Sequence, residues 1–338
     1  MSFPYYNGNG QKRSEPYGGL PKPLKLTEFP DPENYLPDEK LKDACNAALL
    51  LGQPLLITGE PGTGKTMFAY SLAAELGFDE PLKFETKSTS VAKDLFYSYD
   101  TLRRFHDSRS NDKNVESVKY ISFNALGEAI LRTREKDYVQ KYIPDYSQDK
   151  ASRSVVLIDE VDKASRDFPN DILNELEHMY FKIPELENCK IEADHKHHPI
   201  VIITSNTEKD LPNAFLRRCV YYNIPFPKSD VLSDIISLRL GHRVNTKDEF
   251  FRIALSVFNK LREDRNIHKK PSTAELLGWI VALREIIGNG KNTSITKEIV
   301  LKTIGIVVKT ENDQKRAQEV IKAGFERKES WLIQQQEK

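Results

Sequence analysis

The chain has 338 residues, 39% of them hydrophobic and 30% charged, with 50 Lys+Arg against 50 Asp+Glu. That length and apolar content allow one large or two modest folded domains, and a net charge of zero excludes any global drive toward nucleic acid or an anionic membrane, leaving only local patches. Three cysteines, Cys45, Cys189 and Cys219, have no CxxC spacing, which suits a reducing cytoplasm rather than a disulfide framework. No apolar run reaches the ~20 residues of a membrane span, and the first residues carry no apolar signal core, so the expected location is cytoplasmic.

Residues 1–30 are rich in Pro, Gly and Tyr without periodicity and read as a flexible arm. Residues 38–51, DEKLKDACNAALLL, have helical apolar spacing. PLLIT at 54–58 reads as a buried strand, and the next helix, KTMFAYSLAAEL, closes at Gly77. LKFET at 82–86 suggests a second strand, followed by a polar, partly helical insertion over 87–150 with a charge-rich stretch at 107–119. VVLID at 155–159, IVIITS at 200–205 and VYYNI at 220–224 read as further strands, with a helix over 170–179. Near-continuous apolar strands alternating with helices predict a parallel sheet covered on both faces. From Ser229 onward five segments in turn show helical periodicity, which predicts a separate all-helical domain. The expected division is thus 1–30, 31–228 and 229–338.

Between the first strand and its helix lies GEPGTGKT, Gly59, Glu60, Pro61, Gly62, Thr63, Gly64, Lys65 and Thr66, which fits G-x-x-x-x-G-K-[ST]. Its glycines let backbone N–H groups face phosphates, and the helix behind adds its positive end. Lys65 is expected to reach the β- and γ-phosphates, and the Thr66 hydroxyl to ligate Mg²⁺. The strand at 155–159 ends in two acids. Asp159 is placed to hold Mg²⁺, directly or through water, and Glu160 to orient the attacking water, a pairing that favours hydrolysis over nucleotide binding alone. Asn206, just past another apolar strand, is a candidate to bond both that water and the γ-phosphate. Arg217 and Arg218 follow in LRRC as candidates for neutralising transition-state charge; taken alone, a solvated basic pair at a helix end is the better reading of them.

The blocks GEPGTGKT, VVLIDEVDKA, IITSN and PNAFLRRC, in this order, resemble the AAA+ ATPases. YLPDEKLKDACNAALLLGQPLLITGEPGTGKT, STSVAKDLFYSYDTLRRF and DEVDKASRDFPNDILNELEHMYFKIPEL resemble the MoxR and dynein-related branch. The resemblance runs from Tyr35 to Ile287. It implies a five-stranded parallel core of the ASCE P-loop NTPase type with a C-terminal helical lid, binding ATP and Mg²⁺ at the interfaces of a homo-oligomeric, hexameric ring. Carried over residue by residue, Lys65 and Thr66 fall on Walker A, Asp159 and Glu160 on Walker B, and Asn206 on sensor 1. Arg218, with Arg217 as second choice, falls on the arginine finger that acts in a neighbour's site, and Tyr35 and Leu36 fall where such proteins cover the adenine. In the lid, Ala274 of PSTAELL stands where the resemblance places a sensor 2 arginine, with Lys269 and Lys270 out of register.

Other features take blander readings. His195, His197 and His198 are read as a solvated hairpin tip rather than a metal site, Phe168 and Pro169 as packing residues, and Trp279 as core. The expected function is an ATP-driven ring that remodels or activates a partner protein, with a von Willebrand A domain protein as the candidate client. Alternatives are a nucleotide-dependent oligomerisation switch in a defence system and a nucleic-acid motor subunit. The P-loop itself does not read the base, so GTP is a lesser alternative to ATP.

Overall fold

The computed structural model describes residues 32–109, 117–144, 150–208, 211–241, 248–287 and 295–326. The proposed flexible arm lies outside the described residues. The chain divides into two compact units, one of residues 31–226 and one that contains residues 227–338.

In the first unit α1 (Glu39–Leu51) begins at Asp38, whose side chain accepts from the Leu41 amide, and ends at Gly52 in the left-handed region. β1 (Leu55–Gly59) leads through the glycine loop into α2 (Lys65–Glu75), and β2 (Leu82–Glu85) follows. Next come β3 (Tyr97–Tyr99), α3 (Thr101–Arg109), β4 (Ile121–Phe123), α4 (Ala125–Arg132) and α5 (Lys136–Val139). β5 (Val155–Asp159), α6 (Phe168–Asp171), α7 (Leu173–His178), the hairpin of β6 (Tyr180–Ile183) and β7 (Cys189–Glu192), β8 (Ile200–Ser205), α8 (Asn213–Leu216) and β9 (Val220–Ile224) complete it.

The main sheet has five parallel strands in the order β2-β5-β8-β1-β9. Successive side chains of a strand point to opposite faces, and two cores result. Leu55, Ile57, Val155, Leu157 and Ile202 pack with α1 and α2, whereas Leu56, Val156, Ile158, Val201 and Ile203 pack with Leu126, Ala129, Ile130, Phe168 and Leu176. Burial on both faces is why these strands read as unbroken apolar runs.

Two expectations need correction. The stretch 87–150 is not only a polar insertion, because α4 is a full part of the second core, with Leu126, Ala129, Ile130 and Leu131 buried. The histidines are not a hairpin tip: the tip is Pro184–Asn188, and His195–His197 form a 3₁₀ turn past the second strand, leading into β8. Phe168 is buried and stacked on Phe84, and Pro169 is buried beside it, as a packing role requires.

The second unit comprises α9 (Ser229–Leu240), α10 (Glu249–Glu263), α11 (Thr273–Ile287), α12 (Lys297–Thr303) and α13 (Glu311–Glu326). Trp279 is fully buried, its indole N–H donating to Thr303 at 2.8 Å. Before α11, Ser272 and Glu275 form a reciprocal cap: the Ser272 amide donates to the Glu275 carboxylate at 2.8 Å and the Glu275 amide to the Ser272 hydroxyl at 3.4 Å. Ala274 is exposed in that first turn. Lys270 donates to the Asp264 carbonyl at 2.5 Å. Among the described residues no helix is long and apolar enough to cross a membrane.

Two predictions follow from packing. A Cβ at Gly127 would lie 2.0 Å from the carbonyl oxygen of Phe96. Gly127→Ala is therefore expected to destabilise the protein by about 2–3 kcal/mol, since over-packing outweighs the ~1 kcal/mol gain in helix propensity; denaturant unfolding measures it. In the helical unit, Asp313 is buried, and the amides of His268 at 2.9 Å and Lys269 at 3.1 Å donate to its two oxygens. The His268 bond, opposed by burial and reinforced by Lys269, holds its carboxyl down to about 2 from 3.8. A depressed carboxyl stabilises the fold fully above its unfolded value and loses that contribution as pH falls through the folded one. The stability gap between wild type and Asp313→Ala should hold near neutrality and narrow from pH 4 toward pH 2.

Candidate nucleotide site

The C-terminal ends of the parallel strands share one edge of the sheet, the edge where open α/β folds bind ligands. β1 ends at Gly59, and the loop turns back through Gly64, whose φ of 91° is left-handed. A Cβ there would also meet the Tyr35 ring at 3.0 Å, so glycine is required twice over. Tyr35 thus lies against the loop and beside Phe68 of α2, at a ring separation of 6.0 Å. Leu36 is exposed. Thr63 closes the turn by donating to the Glu60 carbonyl at 2.8 Å.

Lys65 is buried, and its ammonium donates to the Gly59 carbonyl at 2.8 Å, the Glu60 carbonyl at 3.1 Å and the Asn206 amide oxygen at 3.0 Å. Three donors meet three acceptors, so the loop carbonyls and Asn206 fix the direction of the lysine. Burial pushes its pKa down, and the carboxylates of Asp162, Glu160 and Asp159 oppose that shift.

The structure brings Thr66 onto Asp159: the hydroxyl donates to Oδ1 at 2.9 Å. Thr204 on β8 donates to the same oxygen at 2.7 Å and accepts the Glu160 amide at 2.8 Å. This one fully buried hydroxyl fixes both acids. Glu160 adopts φ 56° and ψ 53°, an uncommon conformation for a side-chain-bearing residue, and its carboxylate pairs with Lys163. Asn206 bridges Lys65 to Asp162: its side-chain oxygen accepts from Lys65, and its backbone N–H donates to the Asp162 carboxylate at 3.1 Å. Thr66 and Asp159 offer hard oxygen donors side by side, the chemistry that Mg²⁺ requires.

Arg217 and Arg218 are elsewhere. They follow α8 and precede β9, whose Val220 pairs with Leu55 and donates to the Pro54 carbonyl at 2.9 Å. They therefore flank the start of β1, whereas Lys65 follows its end, roughly 16 Å away along a five-residue strand. Arg218 pairs with Glu177 at 2.9 Å and donates to the Ala214 carbonyl at 3.2 Å. Among the described residues no three His, Cys, Asp or Glu side chains gather as a metal set.

Sequence reading missed Thr204, Asp162 and Lys83. The ammonium of Lys83 lies 3.2 Å from Asp159 Oδ2. The only signal for Thr204 was a polar residue in an apolar strand, IVIITS.

The profile of the family described as "ATPase family associated with various cellular activities (AAA)" matches residues 55–227. Among solved structures, a RuvB mutant from Thermotoga maritima is similar at 19% identity and a TM-score of 0.45, over 86% of this chain and 75% of that one. No curated protein matches the chain.

Thr204→Val keeps shape and removes the hydroxyl. Leaving the Glu160 amide and one Asp159 contact unmet is expected to destabilise the protein by about 2 kcal/mol, whereas Thr204→Ser should retain most stability. Chemical denaturation of the three proteins compares them.

Proposed function

Because the chain belongs to the AAA family of ATPases, we propose that it is a Mg²⁺-dependent ATPase of the MoxR type, working at the subunit interfaces of a homo-oligomeric ring. Turnover would remodel or activate a partner protein; a von Willebrand A domain protein is the proposed client. Lys65 and the loop amides of residues 60–66 bind the phosphates. Thr66 and Asp159 hold the magnesium ion, which when bound neutralises phosphate charge. Glu160, released from Lys163, orients the attacking water, and Asn206 exchanges Lys65 for that water and the γ-phosphate. Tyr35, with Leu36 beyond it, flanks the loop on the adenine side.

The observation that carries the ring reading is the position of Arg218. The arginine flanks the start of β1, while Lys65 and Asp159 lie past the strand ends. A finger at that edge cannot serve its own site, but it can serve a neighbour's stacked against it.

Glu160→Gln should retain ATP binding and lose turnover by at least about 100-fold, the scale of a missing general base. Lys65→Ala and Arg218→Ala should each be inactive alone. Mixed and allowed to exchange subunits, they should regain part of the wild-type rate, because some interfaces then pair an intact Lys65 with an intact Arg218. A mixture as inactive as its components removes the trans role of Arg218.

A further inference from the structure

Asp159 is 7% exposed, so its charge needs partners. Its two oxygens are used differently. Oδ1 takes the hydroxyls of Thr66 and Thr204. Oδ2 takes the Lys83 ammonium at 3.2 Å, which also bonds Glu85 at 2.7 Å. The register explains the meeting. β2 is the edge strand beside β5, with Glu85 paired to Asp159 and Lys83 to Leu157. Phe84 points to the opposite core, stacked on Phe168, so Lys83 and Glu85 share the face of Asp159.

We propose that Lys83 is the resident counter-cation of Asp159: it holds the carboxylate in place when no divalent ion is bound and raises the Mg²⁺ concentration at which the ion takes over. This rests on the reading of Asp159 as the metal acid. A monovalent cation at Oδ2 satisfies the buried charge without occupying the Thr66 side. A divalent ion gathered at Thr66 and Oδ1 then shares one carboxylate with a fixed positive charge and is repelled by it. Removing Lys83 lifts that repulsion and leaves Glu85 to act in the same direction.

The test is a Mg²⁺ titration of binding of a fluorescent ATP analogue, at low salt, alongside melting temperatures in EDTA. Lys83→Met is expected to lower the half-saturating Mg²⁺ concentration roughly 3- to 10-fold, and Lys83→Arg to keep the wild-type value. High salt should shrink the shift. Lys83→Met should also melt lower than wild type in EDTA, with the gap narrowing in Mg²⁺ and nucleotide. If Lys83→Met does not fold, Lys83→Gln carries the same test. An unchanged or increased Mg²⁺ requirement in the uncharged variant overturns the proposal. Asp159→Asn separates the two ideas: if it leaves the Mg²⁺ dependence at the wild-type value, the metal-acid reading fails. If it raises the requirement while loss of Lys83 changes nothing, only the role of Lys83 fails.

Discussion

A carboxylate buried at the end of a strand must be surrounded by donors, and the donors at Asp159 come from three directions. β5 lies between β2 and β8 in the sheet. β2 contributes Lys83, β8 contributes Thr204, and α2 contributes Thr66. The site is thus a property of strand order and register as much as of the glycine loop. A slip of one residue in β8 would turn the Thr204 hydroxyl to the other face and leave Asp159 and the Glu160 amide without it. Parallel pairing, with every strand ending on the same edge, is what lets one acid collect donors from both neighbours.

The same hydroxyl accounts for Glu160. Its left-handed backbone is costly for a residue with a side chain, and the bond from its amide to Thr204 helps to hold it there. That turn directs the chain into the 3₁₀ segment Val161–Lys163, bringing Asp162 to Asn206 and Lys163 to Glu160. On the proposed mechanism both contacts must change when nucleotide binds: Asn206 trades Lys65 for the γ-phosphate, and Glu160 trades Lys163 for water. The pair with Lys163 is partly exposed on both sides, so solvent screening makes it inexpensive to break.

Much of this was legible in the sequence because its signals are local. The glycine loop is one contiguous motif, and the three central strands β1, β5 and β8 are unbroken apolar runs whose double burial the structure explains. The part that was not legible depends on contacts between distant segments. β3 and β4 have three residues each, too few to show alternation, and they are paired across a separate helix. α4 is short and carries Gly127 in its interior, which lowers any helical reading of the sequence; only contact with the Phe96 backbone shows why glycine stands there. Lys83 and Thr204 look like a surface lysine and a strand threonine until the register sets both beside Asp159.

Charge is the remaining question for the site. Transfer of a phosphoryl group concentrates negative charge on the γ-phosphate oxygens, and cations must meet it. The position where the family resemblance places a lid arginine is Ala274, in a helix start already completed by Ser272 and Glu275. The local sequence there serves capping, and it carries no cation. Within residues 31–226, Lys65 is buried in the loop, while Lys83 and Lys163 are engaged by Asp159 and Glu160. Arg217 and Arg218 flank the opposite ends of the strands. Lys65 and the acids therefore lie together while Arg217 and Arg218 lie at the far edge, and on the proposed reading stacking one copy's edge on another's would bring both to one phosphate. The proposed ring answers that charge placement, and the lysine at Asp159 matters on the same reading, because a cation fixed on the metal acid sets how strongly a divalent ion is drawn in.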